Sequence, residues 1–109
     1  MKHSLKHKLS AGEVCIGGWL GTGSVMIAEA VASCGFDWVA IDMEHGTASV
    51  DHAAGIFAAL QNQGAGSLVR LPSADPYLAR RLLDTGADGL IVPVVESAES
   101  FQDFSQHCL

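Results

Sequence analysis

Basic residues are scarce in this chain: 6 Lys and Arg stand against 12 Asp and Glu in 109 residues, for a net charge of −6. The few there are lie scattered, apart from a small His/Lys cluster at Lys2 to Lys8. No stripe of positive charge is available to grip nucleic acid or an anionic membrane, and neither is expected as a partner. Long apolar runs are missing as well. Nothing approaches the roughly 18 residues of a membrane span, and the first eight residues lack the apolar segment of a secretory signal. A cytoplasmic protein is the expectation. Cysteine is sparse too: Cys15, Cys34 and Cys108 form no CxxC pair, which fits a reducing compartment better than a disulfide framework. Cys15 and Cys34 lie within apolar stretches, which predicts buried thiols. A phosphate fingerprint is also absent. Gly21-Thr22-Gly23-Ser24 has neither the spacing of a dinucleotide loop nor the lysine of a P-loop.

What is present is ample core material. Hydrophobic residues make up 49% of the chain, and a mean hydropathy of +0.28 excludes disorder. The pattern alternates between short apolar runs and helical spacing. Lys2 to Ala11 reads as a leading helix closed by Gly12, with Leu5 and Leu9 on one side. His3 and His7 share that helix at a metal-clasping spacing, although a solvated helix explains them as well. Strands are predicted over Val14 to Trp19, Trp38 to Asp42, Ser67 to Leu71 and Leu90 to Val95, the last ending near Pro93. Between them lie helices. One is capped by Ser24 and presents Met26, Ile27, Ala30 and Val31 as its apolar face. The next starts at Ser49 or Asp51, with Ile56, Phe57 and Leu60 inward, and a third starts at Asp75-Pro76 and runs to about Thr85. Ala98 to Gln106 forms a last helix with Phe101 and Phe104 on one side. Strand starts about 25 residues apart are those of a parallel sheet with right-handed crossovers.

The most informative stretch is Phe36 to Gly46, Phe-Asp-Trp-Val-Ala-Ile-Asp-Met-Glu-His-Gly. A buried strand there turns abruptly polar, placing Asp42, Glu44 and His45 within four positions at its C-terminal end. Two carboxylates and an imidazole in such a place are either hydrogen-bonded structure or chemistry. In α/β proteins that end of the strand is where sites are built. Other strands also finish in polar or loop residues: Trp19 with its glycine loop, Arg70, and Pro93 to Glu96. Two architectures share this pattern. A small doubly wound sheet suits the length, whereas a rim of polar strand ends suits a (β/α)8 barrel, which needs about 250 residues and would be half present.

Trp19 before a Gly/Ser loop, Gly-Phe-Asp-Trp-Val-Ala-Ile-Asp-Met-Glu-His-Gly at 35 to 46, Val-Arg-Leu-Pro at 69 to 72, and Arg-Leu-Leu-Asp-Thr-Gly-Ala-Asp-Gly-Leu-Ile-Val-Pro at 81 to 93 together resemble the HpcH/HpaI aldolases. These are metal-dependent pyruvate aldolases that include 4-hydroxy-2-oxoheptanedioate and 2-keto-3-deoxy-L-rhamnonate aldolases. The resemblance covers about residues 4 to 99, and the tail from 97 to 109 diverges from the pattern. It implies an α/β fold, the N-terminal half of a TIM (β/α)8 barrel: a leading helix and about four βα units in a single partial domain over 1–109. It also implies a class II lyase reversibly cleaving 4-hydroxy-2-oxo acids to pyruvate and an aldehyde, with a homo-oligomeric assembly. His45 matches the family's proton acceptor, Arg70 the residue that stabilises the enolate, and Asp84 the acid that raises the basicity of the histidine. Asp84 lies near the end of a helix running away from the rim, so its contact with His45 is expected through another subunit, and a plain helix cap is the alternative. Trp19, Gly21, Ser24, Asp42 and Glu44 would line or organise the oxo-acid pocket. The divalent metal, Mg2+, Mn2+ or Co2+, is implied for the full-length family, with its Glu and Asp ligands expected beyond residue 109 and none within this chain. A truncated gene or an early stop is therefore expected, with the isolated chain inactive. The alternatives are a non-catalytic remnant or self-associating α/β module, and, disfavoured by the missing phosphate loop, a small nucleotide-binding domain.

Overall fold

The structure, a computed structural model, describes residues 4–108. Helix α1 (Leu5–Ser10) leads, and four strands follow, each succeeded by a helix. These are β1 (Gly17–Leu20), α2 (Val25–Ala32), β2 (Trp38–Asp42), α3 (Val50–Asn62), β3 (Gly66–Arg70), α4 (Pro76–Thr85), β4 (Gly89–Ile91) and α5 (Ala98–Cys108). His3 lies outside the described residues, and the proposed His3/His7 pair with it.

All neighbouring strands are parallel, in the order β1-β2-β3-β4. A doubly wound sheet reverses its strand order at a switch point. Here the order is strictly sequential, and the apolar cluster lies on one face only, where Leu20, Val39, Ile41 and Val69 meet Ala28, Ala53, Ile56, Phe57, Leu60, Ala79 and Leu82 from the helices. The architecture is the four-unit half of a (β/α)8 barrel. Its other face carries Trp19, Ala40, Asp42, Leu68, Arg70 and Ile91, in register across the sheet. Leu5 of α1 packs against Gly66 beneath that face, closing its lower end.

Local sequence sets the helix ends. Ser24 Oγ accepts from Ile27 N at 3.2 Å, and Asp75 Oδ1 accepts from Tyr77 N at 3.0 Å with Pro76 in the first turn. A second device repeats. Gly35 and Gly86, both at positive φ, follow α2 and α4, and an aspartate stands two residues after each. Asp37 exchanges bonds with Ile16, N to O at 2.8 Å and Oδ2 accepting from Ile16 N at 2.9 Å. Asp88 does the same with Ser67, at 2.7 and 2.9 Å. Each aspartate thus staples the start of its strand to the one before, and Asp37 also pairs with Lys8 of α1 at 2.8 Å.

Several expectations require correction. The first strand begins at Gly17 rather than Val14, because Ile16 is tied to Asp37 and Val14 stands 89% exposed. The fourth strand ends at Ile91, two residues before Pro93, and Val94 adopts a positive φ of 51°. Helix α2 buries Ala28 and Ala32 and only part of Val31, while Met26 is 79% and Ile27 46% exposed. The cause is close approach: α2 lies so near α3 that Val25 touches the space a side chain at Gly55 would need, and alanine fits where a longer chain would not. Cys34 is exposed and Cys15 half-buried, so neither is a core thiol. Phe104 is buried, but Phe101 is 45% exposed at the mouth of a groove of about 320 Å³ that Leu83, Leu90, Val92 and Cys108 also line. Burial there pushes the Cys108 thiol pKa up.

Candidate active site

Asp42 and Arg70 are register partners at the C-terminal ends of β2 and β3. Their side chains emerge on the same face, and the guanidinium meets the carboxylate through two bonds, Nη2 to Oδ2 at 2.6 Å and Nε to Oδ1 at 3.2 Å. Trp19, at the end of β1, donates Nε1–H to Asp42 Oδ2 at 3.1 Å, and its ring lies 5.0 Å from the Arg70 guanidinium carbon, a cation–π contact. The chain leaving β2 folds back onto Asp42. Glu44 N and His45 N both donate to Asp42 Oδ1 at 2.9 Å.

Asp42, 5% exposed, therefore accepts five hydrogen bonds. The Arg70 guanidinium holds its carboxyl far below the usual carboxylate range; burial opposes this, and the bonds from His45 N, Trp19 and Glu44 N assist. In turn Asp42 raises Arg70 further. A group so saturated has no lone pair left for chemistry. Asp42 is the organiser of the rim, and the groups free to act are those it positions.

His45 is one of them. Its side chain is 71% exposed, and Arg70 Nη2 lies 3.0 Å from its Nδ1. Arginine only donates, so Nδ1 is the acceptor and the ring is the neutral Nε2–H tautomer in this arrangement. Glu44 Oε1 sits 3.5 Å from Arg70 Nε and 3.8 Å from His45 Nδ1. Trp19, Asp42, Glu44, His45 and Arg70 are thus one connected cluster, drawn from three strand ends.

Gly21 and Ser24 occupy the neighbouring loop rather than the cluster. The Gly21 carbonyl accepts from Thr47 N at 2.9 Å and Thr47 Oγ1 at 3.3 Å, which ties the β1–α2 loop to the loop carrying His45. Ser24 serves as the α2 cap, with its own N–H donating to Thr22 Oγ1 at 2.9 Å. Thr47 escapes a reading of the sequence because its partner is a main-chain oxygen 26 residues away. Gly46 is what permits the clamp: a Cβ there would sit 2.8 Å from the Gly21 oxygen and against the Asp42 oxygen.

Asp84 stands elsewhere. Helix α4 runs back from the rim after Arg70 and ends at Thr85, just before Gly89 pairs beside Leu68 near the lower end of β3. Asp84 is exposed in its last turn, so one chain does not bring it to His45. The donor set also does not make a cation site by itself. Among the described residues no three His, Cys, Asp or Glu side chains converge on a point where a metal could sit. Asp42 is saturated with N–H donors, and Glu44 faces a guanidinium.

Comparison with known proteins gives one consistent answer. The family pattern described as HpcH/HpaI aldolase/citrate lyase matches residues 16–109. Over 101 residues the chain is 36% identical to a hydroxypyruvate/pyruvate aldolase of Roseovarius nubinhibens, spanning 93% of this chain and 39% of that protein. It is 39% identical over 103 residues to a 4-hydroxy-2-oxo-heptane-1,7-dioate aldolase of Salmonella arizonae, with 94% and 39% covered. The crystal structure of an HpcH/HpaI aldolase from Desulfitobacterium hafniense superposes with a TM-score of 0.87 at 32% identity, covering 98% of this chain and 42% of that one. The chain spans about two fifths of the length of the relatives it matches.

Proposed function

The chain belongs to the HpcH/HpaI aldolase/citrate lyase family, and from that premise we propose that it carries the proton-transfer and anion-binding half of a class II pyruvate aldolase site. The reaction is the reversible cleavage of a 4-hydroxy-2-oxo acid to pyruvate and an aldehyde. The observation that carries this reading is the 3.0 Å approach of Arg70 to His45 at adjacent strand ends.

In the condensation direction a methyl proton must leave pyruvate while negative charge builds on the oxo oxygen. Arg70 is a permanent cation held in place by Asp42 and Trp19, so it meets that charge without reorganising. His45 receives the proton. In the resting arrangement its Nδ1 lone pair is occupied by Arg70, and an oxo-acid oxygen that takes over this one N–H, with the Arg70 bonds to Asp42 kept, releases that lone pair. Substrate binding and base activation are then one event. Asp42 takes no proton; it keeps the base and the cation apart by a fixed distance. Asp84 would act on His45 only from another subunit in this scheme, and a divalent cation, which would supply Lewis-acid polarisation of the oxo acid, would need carboxylates other than those of this cluster.

Proton–deuterium exchange at the methyl group of pyruvate, followed by NMR in D2O with Mn2+ or Mg2+ added, tests the assignment directly. Exchange that His45→Ala removes and Arg70→Lys weakens is the expected result. An oxo acid that neither exchanges nor perturbs the Trp19 indole resonance would sink it.

A further inference from the structure

We propose that His52 is a positioning residue for His45: its ring locks the loop that carries His45 to the loop that follows β1. The inference rests on the reading of His45 as the base. His52 stands outside the Asp42 cluster, in the first turn of α3. Its Nδ1 accepts from Ser49 N at 3.0 Å, and Ser49 Oγ lies 3.3 Å from the same atom. A main-chain N–H only donates, so Nδ1 is the acceptor and the ring is the neutral Nε2–H tautomer. A glutamate or glutamine ordinarily fills this third helical position and reaches back to the N–H of the cap residue. The imidazole makes the same bond and adds a ring, and the neighbouring loop packs on that ring.

The meeting point is Gly23. A Cβ there would collide with His52 Nδ1 and sit 2.6 Å from its Cε1, so the ring lies against bare backbone. Gly23 is not among the glycines at positive φ, and close approach rather than a turn is what calls for glycine at this position. Two residues earlier the Gly21 carbonyl accepts both Thr47 bonds. These contacts close a circuit. It runs from Thr47 to Gly21, along the chain to Gly23, across the ring to Ser49, and back through buried Ala48 to Thr47.

His45 depends on such a frame more than Arg70 does. The His45 side chain is mostly exposed, so the place of its ring follows from the backbone of the loop that bears it. Arg70 is fixed from the sheet itself, by Asp42 and Trp19. Loosening the circuit therefore displaces the base and leaves the anion-binding group where it was. A misplacement of about 1 Å can cost about a hundredfold in rate. The lock is thus marked by a loss of turnover without a loss of substrate binding. A residue that only capped α3 would lower stability and leave both unchanged.

Three variants test the proposal. His52→Ala removes ring and bond, His52→Gln keeps an acceptor for Ser49 N without the ring, and Gly23→Ala pushes the ring off the loop. The readouts are the imidazole 15N shifts of His45 and the exchange rate of the Thr47 amide, both by NMR. His52→Ala and Gly23→Ala should each move the His45 shifts from the Nε2–H pattern toward a mixture of tautomers, and speed Thr47 exchange by about fivefold or more. The double variant should add little to either. His52→Gln should restore the urea midpoint and leave the His45 shifts displaced. Unchanged His45 shifts in the alanine variants, or their full return in His52→Gln, would overturn the proposal and leave His52 a helix cap. Should His52→Ala not fold, Gly23→Ala carries the same readings. Pyruvate proton exchange in the variants should fall by about tenfold or more in kcat at an unchanged KM. A parent chain without exchange would remove the aldolase reading, and the His45 shifts would still decide the role of His52.

Discussion

Replacing Asp42 by asparagine keeps the shape of the side chain and removes its charge. The best placement of the amide leaves its oxygen at Oδ1, still accepting from Glu44 N, His45 N and Arg70 Nε. Its NH2 then points at Arg70 Nη2 and the Trp19 indole N–H, two donors it cannot satisfy. Hydrogen bonds to charged groups contribute about 1.5–3 kcal/mol each. Breaking one partner of a buried ion pair costs about 3–5 kcal/mol. Since Arg70 keeps a quarter of its side-chain exposure, water recovers part of this, and a loss of about 2–4 kcal/mol is expected. That is a large share of the roughly 5–15 kcal/mol that holds a domain together. Urea unfolding followed by circular dichroism measures it. The pH dependence supplies the sign. Because the folded-state pKa of Asp42 lies far below its unfolded value of about 3.9, its stabilisation is complete above that unfolded value and is lost as pH falls through the folded one. The gap between the parent and Asp42→Asn should be constant near neutrality and narrow only below about pH 4. A difference under about 1 kcal/mol at pH 7, or a gap that is flat into strong acid, would refute the assignment of Asp42 as organiser.

Other outcomes follow from the same geometry. His45→Ala should change stability by no more than about 0.5 kcal/mol, since the ring is mostly exposed, while lowering pyruvate proton exchange by about a hundredfold or more; denaturant titration and NMR separate the two effects. Gly46→Ala forces a methyl group onto two carbonyl oxygens and should destabilise the chain by about 1–3 kcal/mol, with the Thr47 amide losing protection in hydrogen exchange. Asp37 has its carboxyl pKa lowered by Lys8 and by Ile16 N–H, so Asp37→Asn should remove stabilisation that exists above the unfolded pKa and fades in acid, visible as a shallower acid limb in a pH–stability profile. Phe57→Ala, at a fully buried position, should cost about 3–5 kcal/mol in the same urea assay.

How much of this could be read before the fold was known depends on how local each cause is. The caps at Ser24 and Asp75 are legible because donor and acceptor lie within three residues. The cluster at Asp42, Glu44, His45 and Arg70 is legible because polar groups at the end of an apolar strand stand out. The buried face of α2 is not. Hydrophobicity points to Met26 and Ile27, whereas the narrow gap to α3 selects Ala28 and Ala32, and the gap is a property of the packed pair. Asp37 and Asp88 were open to detection, since Gly35-Phe36-Asp37 and Gly86-Ala87-Asp88 share a spacing. Their pairing with the preceding strand was hidden in main-chain bonds. Asp84 shows the converse: the family resemblance implies a role, and the direction of α4 places it at the wrong end of the sheet for that role within one chain.

The two aspartate staples each span 21 residues, so β2 is secured to β1, and β4 to β3, by the residue that leads directly into the later strand. A chain emerging from the ribosome can therefore complete the β1–β2 rung before β3 is synthesised, with no distant segment awaited and a small loop-closure penalty. Nascent polypeptides arrested just after Arg70 should already shield the Val39 and Ile41 amides from exchange, and a nascent chain bare at those positions would show that the staples act only after release.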